Sequence, residues 1–276
     1  MITSPQNPKI ELARKLSLRK FREREGKCLL EGIRTIGEAL DAGASLLYGL
    51  YAGKLTSTEA GRALYSRLVG EGVKLFPVED QVLAWMSDTE TSQGILVVAE
   101  KAEASLEEVL GGGQARPDSL ILVACEIQDP GNLGTMIRTC YAGKCTGILI
   151  TKGSVDPYNP KVLRSAMGAV FRVPVVELGE PEEISSALDR LKSGGVKLVA
   201  ACGRAEKYCF DFDYTSPVAI MVGNEARGLA RGILEQADER LAVPMPGGAE
   251  SLNAAIAASI FIYEATRQRL MAARKR

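Results

Sequence analysis

From about residue 119 onward, short runs of β-branched and other apolar residues alternate with segments of helical spacing, a pattern that leaves few folds open. The runs are Leu120–Glu126, Gly147–Thr151, Val173–Leu178, Val196–Ala201, Val218–Val222 and Arg240–Val243. Between them lie helical stretches near Leu133–Ala142, Pro160–Val170, Pro181–Lys192 and Leu229–Ala237, and a last helix is expected from about Ser251 to Leu270. Strands that are apolar at nearly every position need cover on both faces, which is the condition of a parallel sheet between helical layers. The expected fold class is therefore α/β with a mostly parallel sheet. Ligands of such sheets bind at the carboxyl ends of the strands.

Ahead of this region the pattern predicts a smaller α/β unit. A helix runs over Ile33, Ile36 and Leu40, a strand over Leu46–Tyr51, a helix over Glu59–Val69, and strands over Val73–Pro77 and Ile95–Ala99. Gly111-Gly112-Gly113 and Arg116-Pro117 mark a boundary. Residues 1–27 read as a polar, basic arm with turn signals at Ser4-Pro5 and Asn7-Pro8 and helical spacing through Ile10, Leu12, Leu16 and Leu18. The expected division is an arm at 1–27, a small domain at 28–100, a linker at 101–118 and the large domain at 119–276. A chain of 276 residues has the length for two domains.

Composition removes whole classes of chemistry. The chain has no histidine, so Ser-His-Asp and Cys-His catalysis, HExxH zinc sites and imidazole proton relays are excluded. Lys+Arg and Asp+Glu both number 34, so no overall positive field draws the protein to a polyanion, and any nucleic-acid contact must be local. One candidate is the stretch Lys9–Lys27, where eight cationic residues face Glu11, Glu23 and Glu25; another is the tail Arg267, Arg269, Arg274, Lys275 and Arg276. A solvated helix face and a frayed terminus are the plainer account of both. The six cysteines show no CxxC pair and several sit in apolar runs, as expected of small buried hydrophobes in a reducing cytoplasm. No stretch approaches 18 apolar residues and no secretory h-region is present, so neither membrane spanning nor secretion is expected.

Three loops at the carboxyl ends of expected strands concentrate Gly, Pro and polar residues. The first runs from Glu126 through Asp129-Pro130-Gly131-Asn132 into a helix bearing Arg138; Asn132 suits an N-cap. Arg138 lies six residues on, about 9 Å along a helix and roughly 240° round it, so for both to serve one site Asn132 must act from the loop. The second, Gly223-Asn224-Glu225-Ala226-Arg227-Gly228, has a glycine that permits close backbone approach and a carboxylate able to anchor Arg138, accept from a hydroxyl or complement a helix dipole. The third, Val243-Pro244-Met245-Pro246-Gly247-Gly248-Ala249-Glu250-Ser251-Leu252-Asn253, leads into an alanine-rich helix for which Ser251 suits the N-cap. No GxGxxG follows a strand and no GxxxxGK[ST] occurs, which removes support from dinucleotide redox chemistry and P-loop hydrolysis.

In order and spacing, DPGNLGTMIRT (129–139), VDPYNPKVLRSAMGAVFRVPV (155–175) with IMVGNEARGL (220–229), and LAVPMPGGAESLNAAIAASI (241–260) resemble the three motifs of the SpoU (TrmH-type) RNA 2′-O-ribose methyltransferases of the SPOUT superfamily. ITSPQNPKI, LLEGIRTIGEAL and TSQGILVVAE resemble the family's N-terminal part. The resemblance implies a C-terminal trefoil knot, an exception to the rule against knots. It also implies S-adenosylmethionine held there, a homodimer with the active site near its interface, and a structured RNA substrate; the added N-terminal domain favours ribosomal RNA, with transfer RNA the alternative. Carried over by position, it implies that Gly223, Val243 and Leu252 hold S-adenosylmethionine, with Met245 and Ala201 beside it, and that Asn132, Arg138, Glu225, Ser251 and Asn253 form the catalytic surround. The chain departs from the pattern at Ala226 and Lys144, where glycine is common, and at Ser165-Ala166, a transposed Ala-Ser. Because a guanidinium resists deprotonation, Arg138 is expected to orient phosphate and hydroxyl rather than act as the base. Two other readings stay open at this point: a non-catalytic RNA binder of the same fold, and a phosphosugar enzyme with a Gly-rich pocket.

Overall fold

In the computed structural model, which describes residues 1–89, 91–112 and 114–274, the chain divides into two units. One is Met1–Ala102 with Asp156–Arg172, the other Glu103–Val155 with Val173–Arg276. Gly113 of the expected boundary and Lys275 and Arg276 of the basic tail lie outside the described residues.

The smaller unit begins with α1 (Pro8–Lys15), whose first turn is capped by Asn7, and α2 (Arg19–Glu25), which stops at Gly26 with φ +62°. Then follow β1 (Lys27–Glu31), α3 (Ile33–Asp41), β2 (Leu46–Tyr51), α4 (Glu59–Gly70), β3 (Lys74–Pro77), α5 (Asp80–Met86) and β4 (Ile95–Glu100). The sheet order is β1-β4-β2-β3, with β4 antiparallel to both neighbours and β2 parallel to β3. Ile10 and Ala13 of α1, with Leu16 at its C-cap, pack in one core with Leu50, Val82, Leu83 and Leu96. The expected basic arm is therefore not a separate element: its apolar stripe helps build this core, and Ile2 bridges to Val78. Its cations are engaged as well. Lys9 sits 4.8 Å from the Phe76 ring centroid, Arg14 stacks 3.9 Å from that of Trp85, and Arg22 is buried in an ion pair with Asp156 at 2.6 Å.

The larger unit contains α6 (Leu106–Leu110), β5 (Leu120–Ala124), α7 (Pro130–Ala142) and β6 (Gly147–Thr151); the chain then passes through α8 (Pro160–Ala166) of the smaller unit. It resumes with β7 (Val175–Leu178), α9 (Pro181–Ser193), β8 (Lys197–Cys202), β9 (Lys207–Tyr208), β10 (Val218–Val222), α10 (Arg231–Leu234), β11 (Glu239–Ala242) and α11 (Ala254–Ala273). The order is β7-β6-β5-β10-β8-β11-β9, every neighbouring pair parallel. Leu188 and Leu191 of α9 and Val109 cover Val123, Leu149 and Met221. On α7 and α11, Thr139 and Ser259 hydroxyls meet at 3.0 Å, and a Cβ on Gly143 would lie 2.4 Å from Ile262. Close approach there depends on that glycine.

The segment Asp156–Arg172, expected in the large domain, packs with the smaller unit. Besides the Asp156 pair, Tyr158 donates to the Ala102 carbonyl at 2.8 Å, and Gly168 abuts Glu38 so closely that a Cβ would fall 2.7 Å from it. The helix expected over 160–170 stops at Ala166 because Met167 and Gly168 turn left-handed, at φ +51° and +79°. Lys144, at a position where glycine is common in the family pattern, likewise has φ +57°, the conformation that makes glycine the easier choice. β1, α2, α5 and β9 were not anticipated; each is short and carries too few periods to stand out.

Candidate functional site

β10, β8 and β11 are adjacent, and the loops leaving their carboxyl ends enclose a cavity of about 290 Å³ in the larger unit. Ala201, Gly223, Val243, Met245 and Leu252 all line it, so the structure brings together the five positions expected to hold a cofactor. Ser251 and Glu225 line it too. Parallel strands end with their loops on one side of the sheet, which is why three segments far apart in sequence converge.

The loop after β10 closes on itself. Asn224 and Gly228 exchange backbone hydrogen bonds at 3.0 and 2.8 Å, and Gly228 has φ +69°. A Cβ on Gly223 would lie 2.2 Å from the Gly228 carbonyl carbon. The glycine is thus required by the loop's own closure, whatever ligand approaches it. Asn224, which sequence reasoning passed over, is buried: its side chain accepts from the amides of Ala226 and Arg227 and donates to the Glu126 carbonyl at 2.9 Å. Glu126 has φ +53° and pairs with Arg227 at 2.7 Å, linking this loop to the one after β5. An Asn directly after a strand-ending glycine, with two amides to accept from, was the available signal.

A polar chain ends at Glu225 in the cavity wall. Asn253 Nδ2 donates to Asn132 Oδ1 at 2.8 Å, and Asn132 Nδ2 donates to Glu225 Oε1 at 2.8 Å. The capping assignments differ from expectation. Asp129 caps α7, accepting from the Asn132 amide at 2.8 Å, and Pro130 opens the helix; Asn253, not Ser251, caps α11 by accepting from Ala255 and Ile256. Asn132 therefore sits in the first helical turn rather than the loop, free of capping duty and aimed at Glu225. Arg138 is exposed on another face of α7 and, among the described residues, makes no ion pair; Glu225 is held by Asn132 instead of anchoring Arg138. The six-residue separation that put the two on different faces stands, and this chain alone does not bring Arg138 to the cavity.

Cys202, also in the wall, has its thiol pKa pushed up by partial burial. Cys125, below the first loop, is pushed up to about 12 by near-complete desolvation. Both favour the neutral thiol. Among the described residues no group of acidic or cysteine side chains is placed to hold a metal ion, and no helix is long and apolar enough to cross a membrane.

Residues 119–263 match the model of the SpoU rRNA Methylase family, and residues 7–97 match an MRM3-like substrate binding domain. A 23S rRNA (guanosine(2553)-2′-O)-methyltransferase of Bacillus subtilis is 33% identical over 95% of this chain and 97% of its own length. The crystal structure of an RNA 2′-O ribose methyltransferase superposes with a TM-score of 0.82 at 36% identity, covering 98% of this chain and 99% of that one. The SpoU methyltransferase AviRb of Streptomyces viridochromogenes, solved with AdoMet, gives 0.85 at 29% identity, covering 96% and 99%. With three converging loops, their polar chain and these matches over nearly its whole length, the chain belongs to the SpoU rRNA methylase family.

Proposed function

We propose that this protein transfers a methyl group from S-adenosylmethionine to a ribose 2′-hydroxyl of ribosomal RNA. The observation that carries the reading is the convergence of all five expected cofactor positions on one cavity lined also by Glu225, the residue at which the Asn253–Asn132–Glu225 chain ends. The relatives named for 23S rRNA methylation, and the neighbour solved with AdoMet, support the substrate and the cofactor.

The residues present fit S-adenosylmethionine. The cavity is built from strand ends and small side chains, with Val222 and Phe261 as apolar floor. Among the described residues the Leu252 amide and carbonyl make no backbone hydrogen bond, so a donor and an acceptor stand ready at the wall. Gly223, Val243 and Leu252 would hold the molecule, with Ala201 and Met245 beside it. When bound, it supplies an electrophilic methyl carbon on a sulfonium.

The chain's own residues do the rest. Asn253 and Asn132 fix each other's amide orientation, and Asn132 occupies one oxygen of Glu225. The other oxygen is left to accept from a ribose hydroxyl, while Ser251 adds a hydroxyl at the wall. Positioning of nucleophile against methyl carbon supplies much of the acceleration. Arg138 acts as orienter of RNA phosphate and hydroxyl, from a second copy of this chain. Support for a homodimer is the solvent-facing stripe Ile256, Tyr263 and Leu270, spaced by seven on α11, with Tyr141 and Arg138 of α7 exposed as well. The knotted passage of the segment between β11 and α11, and a cytoplasmic location, belong to the same reading; the free cysteines support the latter.

Incubation with methyl-labelled S-adenosylmethionine and unmodified ribosomal RNA is expected to label the RNA, and a transcript with a 2′-deoxy target is expected to stay unlabelled. Tight calorimetric binding of S-adenosylmethionine without labelling of any RNA would favour a non-catalytic binder instead.

A further inference from the structure

Two sequence stretches that the transfer chemistry leaves unused, LLEGIRTIGEAL (29–40) and TSQGILVVAE (91–100), meet in the smaller unit. β1 and β4 are antiparallel with Glu31 opposite Leu96, so the end of β1 and the approach to β4 lie at one end of the sheet. Gly32 turns the chain into α3 at φ +93°, and Gln93 Oε1 accepts the Ile33 N–H at 2.7 Å, tying the start of α3 to the loop before β4. Between them opens a second cavity, of about 280 Å³, lined by Glu31, Arg34, Thr35, Thr91, Gln93 and Arg164. That is the lower end of small-ligand site sizes, room for one nucleotide and not for a duplex.

The chemistry of the lining is lopsided. The buried Glu31 carboxylate is consumed inward: it accepts from the hydroxyls of Ser87 and Thr89 and from the Asp88 amide, the last at 3.2 Å. Arg164 gives one nitrogen to Asp88 at 2.8 Å; its Nη1 is buried 3.7 Å from Glu31 Oε2 with no hydrogen-bond partner. Arg34 is exposed at the rim and, among the described residues, unpaired. Gln93 has spent its oxygen on Ile33 and keeps both amide hydrogens. What remains is a set of donors: two guanidiniums, an amide and hydroxyls. A buried guanidinium nitrogen without an acceptor is costly unless a ligand provides one.

Resting on the RNA-methyltransferase reading, we propose that this cavity takes one unpaired nucleotide of the substrate RNA. Its phosphate lies on Arg34, and an acceptor-bearing base edge, such as the carbonyl of uracil or guanine, lies toward Gln93 and Arg164 Nη1. The pocket selects the RNA by an extruded base, because single-stranded positions are where proteins read RNA by base edges.

The test uses the full-length protein with ribosomal RNA fragments. Arg34→Ala and the cavity-filling Thr91→Trp are each expected to raise Kd and KM for RNA about tenfold, with kcat, S-adenosylmethionine affinity and the melting transition unchanged. Arg34→Lys is expected to restore binding to within about threefold. The slope of log Kd against log salt should shrink by about 0.7 for Arg34→Ala. Uridine or guanosine monophosphate is expected to compete with RNA only at millimolar concentration, since one nucleotide lacks the rest of the RNA, and not to compete in Thr91→Trp; competition that survives in Thr91→Trp would place the nucleotide elsewhere and overturn the proposal. Kd and KM within twofold of wild type in both variants would also overturn it. If wild-type protein labels no RNA, the enzymatic reading fails, and the binding measurements still decide the pocket by themselves.

Discussion

Asn132 Nδ2 donates to Glu225 Oε1 at 2.8 Å, across 93 residues of sequence, and this bond sets the direction of the chain that begins at Asn253. Asn132→Asp removes the donor and places a second carboxylate against Glu225. We expect kcat to fall by about 100-fold near pH 7.5, with part of the loss recovered at lower pH as one carboxyl protonates. Single-turnover methyl transfer across pH is the measurement; an unchanged rate would remove the chain from the mechanism.

Arg138 touches neither Glu225 nor Asn132 within its own chain. Arg138→Lys keeps the charge but loses the planar fork, so turnover should drop at least about tenfold while calorimetric affinity for S-adenosylmethionine is preserved. A variant mixed with a protein inactivated at Asn132 should regain up to about a quarter of normal activity if the arginine acts from a second copy.

Arg22 is held by Asp156 at 2.6 Å and also donates to the carbonyls of Leu16 and Ser17 at 2.7 and 2.8 Å. Asp156→Asn leaves a buried guanidinium without its counter-charge and is expected to lower unfolding stability by about 3–5 kcal/mol. Urea titration checks this. The same data decide whether deleting residues 1–27 is a usable experiment: removing Ile10, Ala13, Leu16 and Arg22 should unfold the smaller unit, so lost RNA binding after that deletion would say nothing of electrostatics.

Arg269 of α11 donates to four carbonyls, those of Tyr214, Asp118, Ser119 and Ser216, at 2.9, 2.5, 2.9 and 2.9 Å. Arg269→Ala removes the donor from all four, of which Ser119 keeps the Val218 amide, and should cost about 2–4 kcal/mol, with Arg269→Lys recovering less than half because an ammonium cannot span them. Thermal unfolding with S-adenosylmethionine present and absent separates this loss from any effect on binding.

Burial pushes the Cys28 and Cys125 thiols up to about 12 from 9.0. Between those pH values the unfolded chain has released protons that the folded chain retains. The stabilisation is therefore complete below pH 9 and lost as pH rises toward 12, at about 1.4 kcal/mol per pH unit for each thiol. The urea midpoint should fall between pH 9 and 11, and Cys28→Ala with Cys125→Ala should flatten that fall.

How far the residues announced this structure varies with the range of the interaction. The strands around Leu122, Ile148 and Ile220 were evident because apolar runs report burial locally. The helix start at Pro130 was available too: proline favours the first helical position, which points to Asp129 rather than Asn132 as the cap. Asn132 and Asn253 were placed in the catalytic surround by the motif resemblance, yet their joint action on Glu225 needed coordinates. The pairing of Arg22 with Asp156, 134 residues apart, left no trace that spacing could detect. An arginine in a basic, helix-forming stretch reads as solvated until a partner is seen.

The covalent path has a consequence for how such proteins can be divided. Asp156–Arg172 lies between two strands of the seven-stranded sheet, yet Val162, Leu163 and Ala166 are buried in the smaller unit. A gene cut at residue 102 would strand that excursion without the surfaces it fills. In this chain the smaller unit is therefore completed by residues encoded downstream of the first strands of the larger one.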